Sequence, residues 1–252
     1  MPYIEETCEA GETIEVNKYF TYRIHTKGEK RAKREKPTVD AQKRVNQRKA
    51  EKDLRRLMNT NFHDGDLLIR LDFANAREIT SSAQMQGKIS KALRKMKRKA
   101  AADGIELKYI YVKEMGKRGG RHTHLMITRV STELIRECWP HGGIHIDPLY
   151  SGGQYRKIAA YFVKYAAKTE ETEGKLIGKR WYGSRNLERP KVTKKIIKSG
   201  HFREIVRKAQ GYVLEKDTLQ SGISDFTGFK YFSYTLIRST RPYYDRGTSP
   251  GN

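Results

Sequence analysis

The sequence predicts an α+β fold, a central antiparallel β-sheet with helices on one face. A basic helical arm precedes the sheet and a helix-and-strand extension follows it. Three observations carry this prediction. Runs of strand length alternate with longer stretches of helical periodicity in the order β-α-β-β-α-β. The two middle strands are separated by "KRGG" (Lys117–Gly120), a hairpin signal. The helix after the first core strand carries one apolar stripe, the pattern of a helix lying on a sheet.

The elements follow in order. "KYFTYRIHTKG" (Lys18–Gly28) alternates as a short strand, and "EKRAKREKP" reads as a solvated connector ending at Pro37. The stretch 38–62 predicts a helix with Thr38 or Asp40 as cap and a thin stripe of Val45, Leu54, Leu57 and Met58. Its other faces are so polar that it reads as a solvated arm able to touch phosphates. Gly65–Phe73 is a strand, and the next helix starts at Thr80 or Ser81 and stops at Gly104. Its Ile89, Leu93 and Met96 share one stripe, with Lys88, Lys91, Lys95 and Arg98 away from it. Strands over 105–116 and 121–130 form the hairpin. A short helix capped by Ser131, a strand over 144–150 and a clear helix over Gln154–Glu171 come next. Arg180–Pro190 reads as a loop, "HFREIVRKAQ" as a helix, "YFSYTLIR" as a strand, and 242–252 as a disordered tail. The predicted layout is therefore 1–60 acidic tip, strand and arm; 61–190 the core domain; 191–241 the extension.

Composition bounds the function. The 252 residues include 52 Lys and Arg against 29 Asp and Glu, a formal charge of +23. This is the electrostatic footprint of a protein that binds a polyanion. The charge is uneven: residues 1–16 carry five Glu and no base, while Met85–Ala100 holds seven bases and no acid. The sequence lacks 18 consecutive apolar residues, and its acidic N-terminus is unlike a signal peptide, so a cytoplasmic, membrane-free protein is expected. Cys8 and Cys138 stand far apart without a Cys-x-x-Cys spacing, which fits a reducing cytosol and excludes a cysteine-based zinc motif.

Chemistry concentrates at two places. In "RHTHLMI", strand alternation puts His122 and His124 on one face and Thr123 on the other. Glu114 lies across the hairpin and can reach the same face. Two imidazoles and a carboxylate leave positions open for water and a phosphate oxygen, and mixed N/O ligands suit Mn²⁺ or Mg²⁺. The alternative is a solvated strand on which Glu114 pairs with Lys113, Lys117 or Arg121. In "KIAAYFVKYAAK", Tyr161, Tyr165 and Lys168 share a helix face with Lys157 and Lys164. A phenol is a nucleophile that is weak at its ordinary pKa. Neighbouring ammonium groups favour the phenolate and hold a phosphate under attack. The alternative is that the tyrosine hydroxyls snorkel above a core.

Together these residues resemble the HUH endonucleases. "RHTHLMIT" looks like their His-x-His strand, "YFVK" like their Tyr-x-x-Lys helix, and "GSRNLERP" like a stretch of filamentous-phage-type replication-associated proteins of Gram-positive plasmids, phages and integrated elements. The likeness runs from about Gly65 to Pro190. It implies a ferredoxin- or RRM-like sheet and a bacterial, mobile-element-encoded protein. It implies metal-dependent, strand-specific nicking and rejoining of DNA through a 5′-phosphotyrosine, initiating rolling-circle replication. His122 and His124 would be metal ligands, with Glu114 the third. Tyr161 would be the nucleophile, with Lys164 three residues on. Thr123 departs from the usual bulky middle residue, and Tyr165 is either a second nucleophile or a bystander.

No G-x4-G-K-[ST] loop occurs, so no ATP site is expected, and a host helicase and DNA polymerase become the expected partners on single-stranded origin DNA. Arg180, Trp181 and Arg185 offer a basic stacking loop, the alternative being that Trp181 plugs the core. Lys91, Lys95, Arg98, Lys157 and Lys168 are the other expected phosphate contacts. Two further readings stay open: a transposase or relaxase with the same chemistry, and a basic nucleic-acid-binding protein without activity.

Overall fold

The computed structural model describes residues 3–21, 40–75, 79, 81–115, 120–173, 180–224 and 228–239. The side chains of 40–41, 115 and 167–173 fall outside that description. The connector 29–37, the outer part of the strand expected over 18–28 and the tail 242–252 therefore lie outside it. The chain forms two compact units, residues 34–189 and residues 1–33 with 190–252. The N-terminal edge of the core unit lies before the stretch 38–62, which the layout read from sequence assigns to the arm, while its C-terminal edge falls one residue from the expected 190.

The unit of residues 34–189 is built on α1 (Asp40–Asn61), β3 (Leu67–Asp72), α2 (Ser82–Ala102), β4 (Tyr109–Met115), β5 (Arg121–Ile127), α3 (Thr132–Cys138), β6 (Ile144–Pro148), α4 (Arg156–Glu173) and β7 (Tyr182–Gly183). Before it in the chain come β1 (Tyr3–Ala10) and β2 (Thr13–Phe20). The five strands form an antiparallel sheet in the order β6-β3-β5-β4-β7. β7 lies inside the segment expected to be wholly loop. Ser81 is the α2 cap, its hydroxyl accepting from the Gln84 amide, and Ser131 caps α3 in the same way.

Helices cover both faces of this sheet, two on each, where one covered face was expected. The reason is visible in the strands. β3, β4 and β5 are apolar at consecutive positions, so both their faces must be buried. Successive residues divide accordingly: Ile69, Tyr111 and Leu125 pack with α2 and α3, while Leu68, Val112 and Met126 pack with α1 and α4.

Helix α1 is a core element, not a solvated arm. Leu54, Met58 and Phe62 are completely buried, Ala50 and Leu57 nearly so, and Val45, expected on the stripe, is 41% exposed. Two asparagines near its end explain its placement. Asn59 Oδ1 accepts from the Tyr155 amide just before α4, and Asn61 exchanges hydrogen bonds with the backbone of Glu188 in both directions. The polar composition that suggested an arm belongs to the half of the helix facing solvent.

The second unit is a six-stranded antiparallel sheet from both ends of the chain. It adds β8 (Lys191–Ile197), β9 (Tyr212–Leu214), β10 (Gln220–Ile223) and β11 (Lys230–Arg238). Its path is β10-β11-β2-β1-β8, with β9 also on β11. The acidic N-terminus finds its purpose here. Lys191 pairs with Glu9, Lys194 with Glu6 and Arg207 with Glu5, and Arg238 meets Glu12. The helix expected over 201–210 does not form. Phe202, Val206 and Ala209 do pack on the sheet at helix-like spacing. Its backbone, however, is bonded by sheet side chains: Lys18 Nζ donates to the Arg203 carbonyl, and the Arg207 amide donates to the Tyr234 hydroxyl.

Candidate functional site

The sheet register creates the site. Asp72 on β3, His122 on β5 and Glu114 on β4 lie directly opposite one another, and one step along Arg70, His124 and Val112 do the same. Strand alternation then directs Arg70, Asp72, Glu114, His122 and His124 to the face that packs on α4. They occupy the one end of that face where the apolar run stops.

Two imidazole–carboxylate pairs result. His124, which is buried, has Nε2 2.8 Å from Glu114 Oε2, and His122 has Nδ1 2.7 Å from Asp72 Oδ1. With the carboxylates accepting, His122 keeps a lone pair on Nε2 and His124 on Nδ1. Tyr161, 38% exposed on α4, brings its hydroxyl to 3.4 Å from the His124 ring nitrogens. The two rings meet edge to face at 4.9 Å, and the Tyr165 ring lies 5.1 Å from His124 and 4.3 Å from Tyr161. Both tyrosines thus border the histidine, with 37 residues separating Tyr161 from His124 in the chain.

Electrostatics differ from the sequence expectation in one respect. Burial, then a hydrogen bond with Tyr165 and the charge of Glu114, hold the Tyr161 phenol well above its ordinary value. The cation acting against this is Arg70 from β3. Lys157 and Lys164 are exposed on the helix, and the Lys168 side chain lies outside the described residues. Burial lowers the His124 pKa, opposed in part by the Glu114 hydrogen bond.

Three site residues escaped the sequence reading. Asp72 and Arg70 end the apolar strand "LLIRLDF", and His145 on β6 lies 3.5 Å from Asp72 Oδ2. A charged residue at the end of an apolar strand was the available signal. Asp72 is tightly held: its carbonyl accepts from Trp139 Nε1, and its amide donates to Gly143. A side chain at Gly142 would collide with that carbonyl, and one at Gly120 would come within 2.9 Å of His122 Nε2.

Among the described residues, no three of His, Cys, Asp and Glu converge as a ready cation shell. The donor set itself, two imidazoles and two carboxylates on one face, is of the mixed N/O type that suits a hard divalent cation. In chemistry the residues fit such an ion.

The expected nucleic-acid contacts divide. Trp181 and Arg180 lie on the α1 and α4 side, where Trp181 packs partly against the core and lines a recess beside α1. Arg185 is exposed. Lys91, Lys95 and Arg98 project from α2, which covers the opposite face of the sheet, and Lys95 donates to the Glu137 carbonyl. The "SRNL" stretch is a fastening. Ser184 Oγ accepts from the Tyr109 amide, and Asn186 donates to Glu106 and to the Leu107 carbonyl, which fixes the entry to β4.

Residues 66–170 match the model of the replication-associated protein ORF2/G2P family, about two-fifths of the chain. The matched span begins just before β3 and ends within α4, so it contains Asp72, Glu114, His122, His124, Tyr161 and Tyr165. It supports a role in DNA replication of the initiator type. No curated protein and no solved structure matches the chain. Among the described residues no helix is long and apolar enough to cross a membrane, and both cysteines are buried and free.

Proposed function

We propose that the protein is a tyrosine endonuclease of the HUH type that nicks one DNA strand at an origin and so starts rolling-circle replication. The observation that carries this reading is the meeting of Tyr161 with His124 on the sheet face that also presents His122 and Glu114. A core histidine pair serving stability alone has no need of a half-exposed phenol beside it.

His122, His124 and Glu114 would hold the divalent cation, Mn²⁺ or Mg²⁺. When bound, it would supply Lewis-acid polarisation of the scissile phosphate. The chain's own residues do the rest. The Tyr161 oxygen attacks phosphorus, the phenol loses its proton, and the bond to the 3′ oxygen breaks. The 3′ oxygen takes up a proton and leaves as a free 3′-OH, while the 5′ phosphate stays on tyrosine. A host polymerase extends that end, and reversal of the step rejoins the strand. Arg70 opposes the negative charge that builds on the phenol, and Asp72 orients His122 as a carboxylate partner does. Tyr165, whose ring lies beside those of Tyr161 and His124, is either a second nucleophile or a bystander.

The test is incubation with labelled single-stranded origin DNA and Mn²⁺, read as a covalent adduct on a denaturing gel. An adduct lost with EDTA, His124→Ala and Tyr161→Phe is expected, and the Tyr165→Phe lane decides between one nucleophile and two. Binding without an adduct on any origin candidate would leave a basic nucleic-acid-binding protein as the better account.

A further inference from the structure

A recess of about 420 Å³ opens between α1 and the turn entering β7, lined by Asn46, Lys49, Ala50, Asp53, Arg180 and Trp181. Its volume lies in the range of small-ligand sites. The four α1 residues fall at i, i+3, i+4 and i+7, so one stripe of the helix forms the wall. Trp181, half-buried, forms the other side with its indole.

The position of this recess relative to the tyrosines follows from the register. β7 pairs with β4 through Tyr182 opposite Tyr111, so Trp181 sits one residue beyond the ladder, level with Val112. Val112 is itself opposite His124. Trp181 therefore lies two strand spacings, about 10 Å, from His124 across the same face of the sheet.

We propose that this recess is a subsite for one unstacked base of the single strand whose phosphate lies at Tyr161, and that it selects bases bearing an exocyclic amino group. The inference rests on the endonuclease reading for the position of the strand, while its own chemistry is independent of nicking. An indole beside Lys49 and Arg180 combines the stacking surface and the positive charge that hold single strands. The Asp53 carboxylate can only accept hydrogen bonds. It pairs with the exocyclic amino group of cytosine, adenine or guanine, whereas thymine lacks that group and offers only its ring N3–H. Asn46 Oδ1 is already taken by Gln42 Nε2, which leaves the Asn46 amide group as a donor toward the base.

The experiment uses the full chain with EDTA present, so that binding is read without cleavage. Short oligo(dC) and oligo(dT) are titrated while indole fluorescence and affinity are followed. Oligo(dC) is expected to bind about tenfold more tightly than oligo(dT) and to quench a signal that Trp181→Phe removes. Asp53→Ala should bring the oligo(dC) and oligo(dT) affinities together, abolishing the preference. Thermal melting checks that each variant is folded, and Asp53, exposed on α1, is the substitution least able to disturb the core. Equal affinities in the unmodified protein, or a preference that survives Asp53→Ala, would overturn the subsite. Adduct formation on origin DNA, measured separately, distinguishes the two failures. Base preference without any adduct removes the endonuclease reading and keeps the subsite. An adduct without base preference does the reverse.

Discussion

Asp72 shows how much one carboxylate can determine. It reaches His122 at 2.7 Å and His145 at 3.5 Å, and so fixes which His122 nitrogen keeps its lone pair. Asp72→Asn should lower the rate of adduct formation roughly 10- to 100-fold, the usual cost of losing an orienting partner. Its melting temperature should move little, and a rate equal to that of the unmodified protein would remove Asp72 from the site. Gly120→Ala makes the complementary prediction, because its methyl would press on His122 Nε2. Activity should fall while stability holds. Tyr161 adds a pH dependence. Its pKa is raised above the usual 10, so the phenol is protonated at neutral pH and its ionised fraction grows about tenfold per unit. The single-turnover rate of adduct formation should therefore climb between pH 7 and 9. A flat profile would mean that phenol ionisation does not limit the step.

At the scale of elements, α1 is the instructive case. Charge and a thin apolar stripe made it read as an arm, yet every residue of the stripe beyond Val45 is buried against α4 and the sheet. Leu54→Ala should cost about 3 kcal/mol of stability, since it leaves a cavity in a closed core. Val45→Ala, at an exposed position, should change stability by less than about 0.5 kcal/mol. Equal effects in chemical denaturation would return α1 to the solvated arm. The segment 201–210 fails in the opposite sense. Its apolar spacing is helical, and the conformation is decided by hydrogen bonds from Lys18 and to Tyr234, which a local pattern does not contain.

At the scale of the whole molecule, the two units are sewn differently. The unit of residues 34–189 is contiguous, whereas the other joins both ends of the chain with β1 and β2 at the centre of its sheet. Deleting residues 1–21 removes that centre, so limited proteolysis should then degrade 190–252 while 34–189 persists. Survival of the C-terminal segment would show that β8 to β11 fold without it. The net charge of +23 predicts that DNA affinity falls steeply and log-linearly with salt, a slope that counts phosphate contacts.

The sequence by itself determined the class of fold, the hairpin and the placing of His122, His124 and Glu114 on one face. Each depends on short-range alternation and turn chemistry, which the chain carries locally. It also determined that Tyr161 lies on the wet side of its helix, because helical periodicity is equally local. Only the tertiary structure decided that α4 covers that face of the sheet and brings Tyr161 to His124. It alone brought Asp72 and His145 into the group, through strands that pair across long stretches of chain. It alone matched the acidic N-terminus to Lys191, Lys194 and Arg207. These choices depend on which apolar faces must bury one another and which charges then meet, and that is a property of the packed chain rather than of any segment.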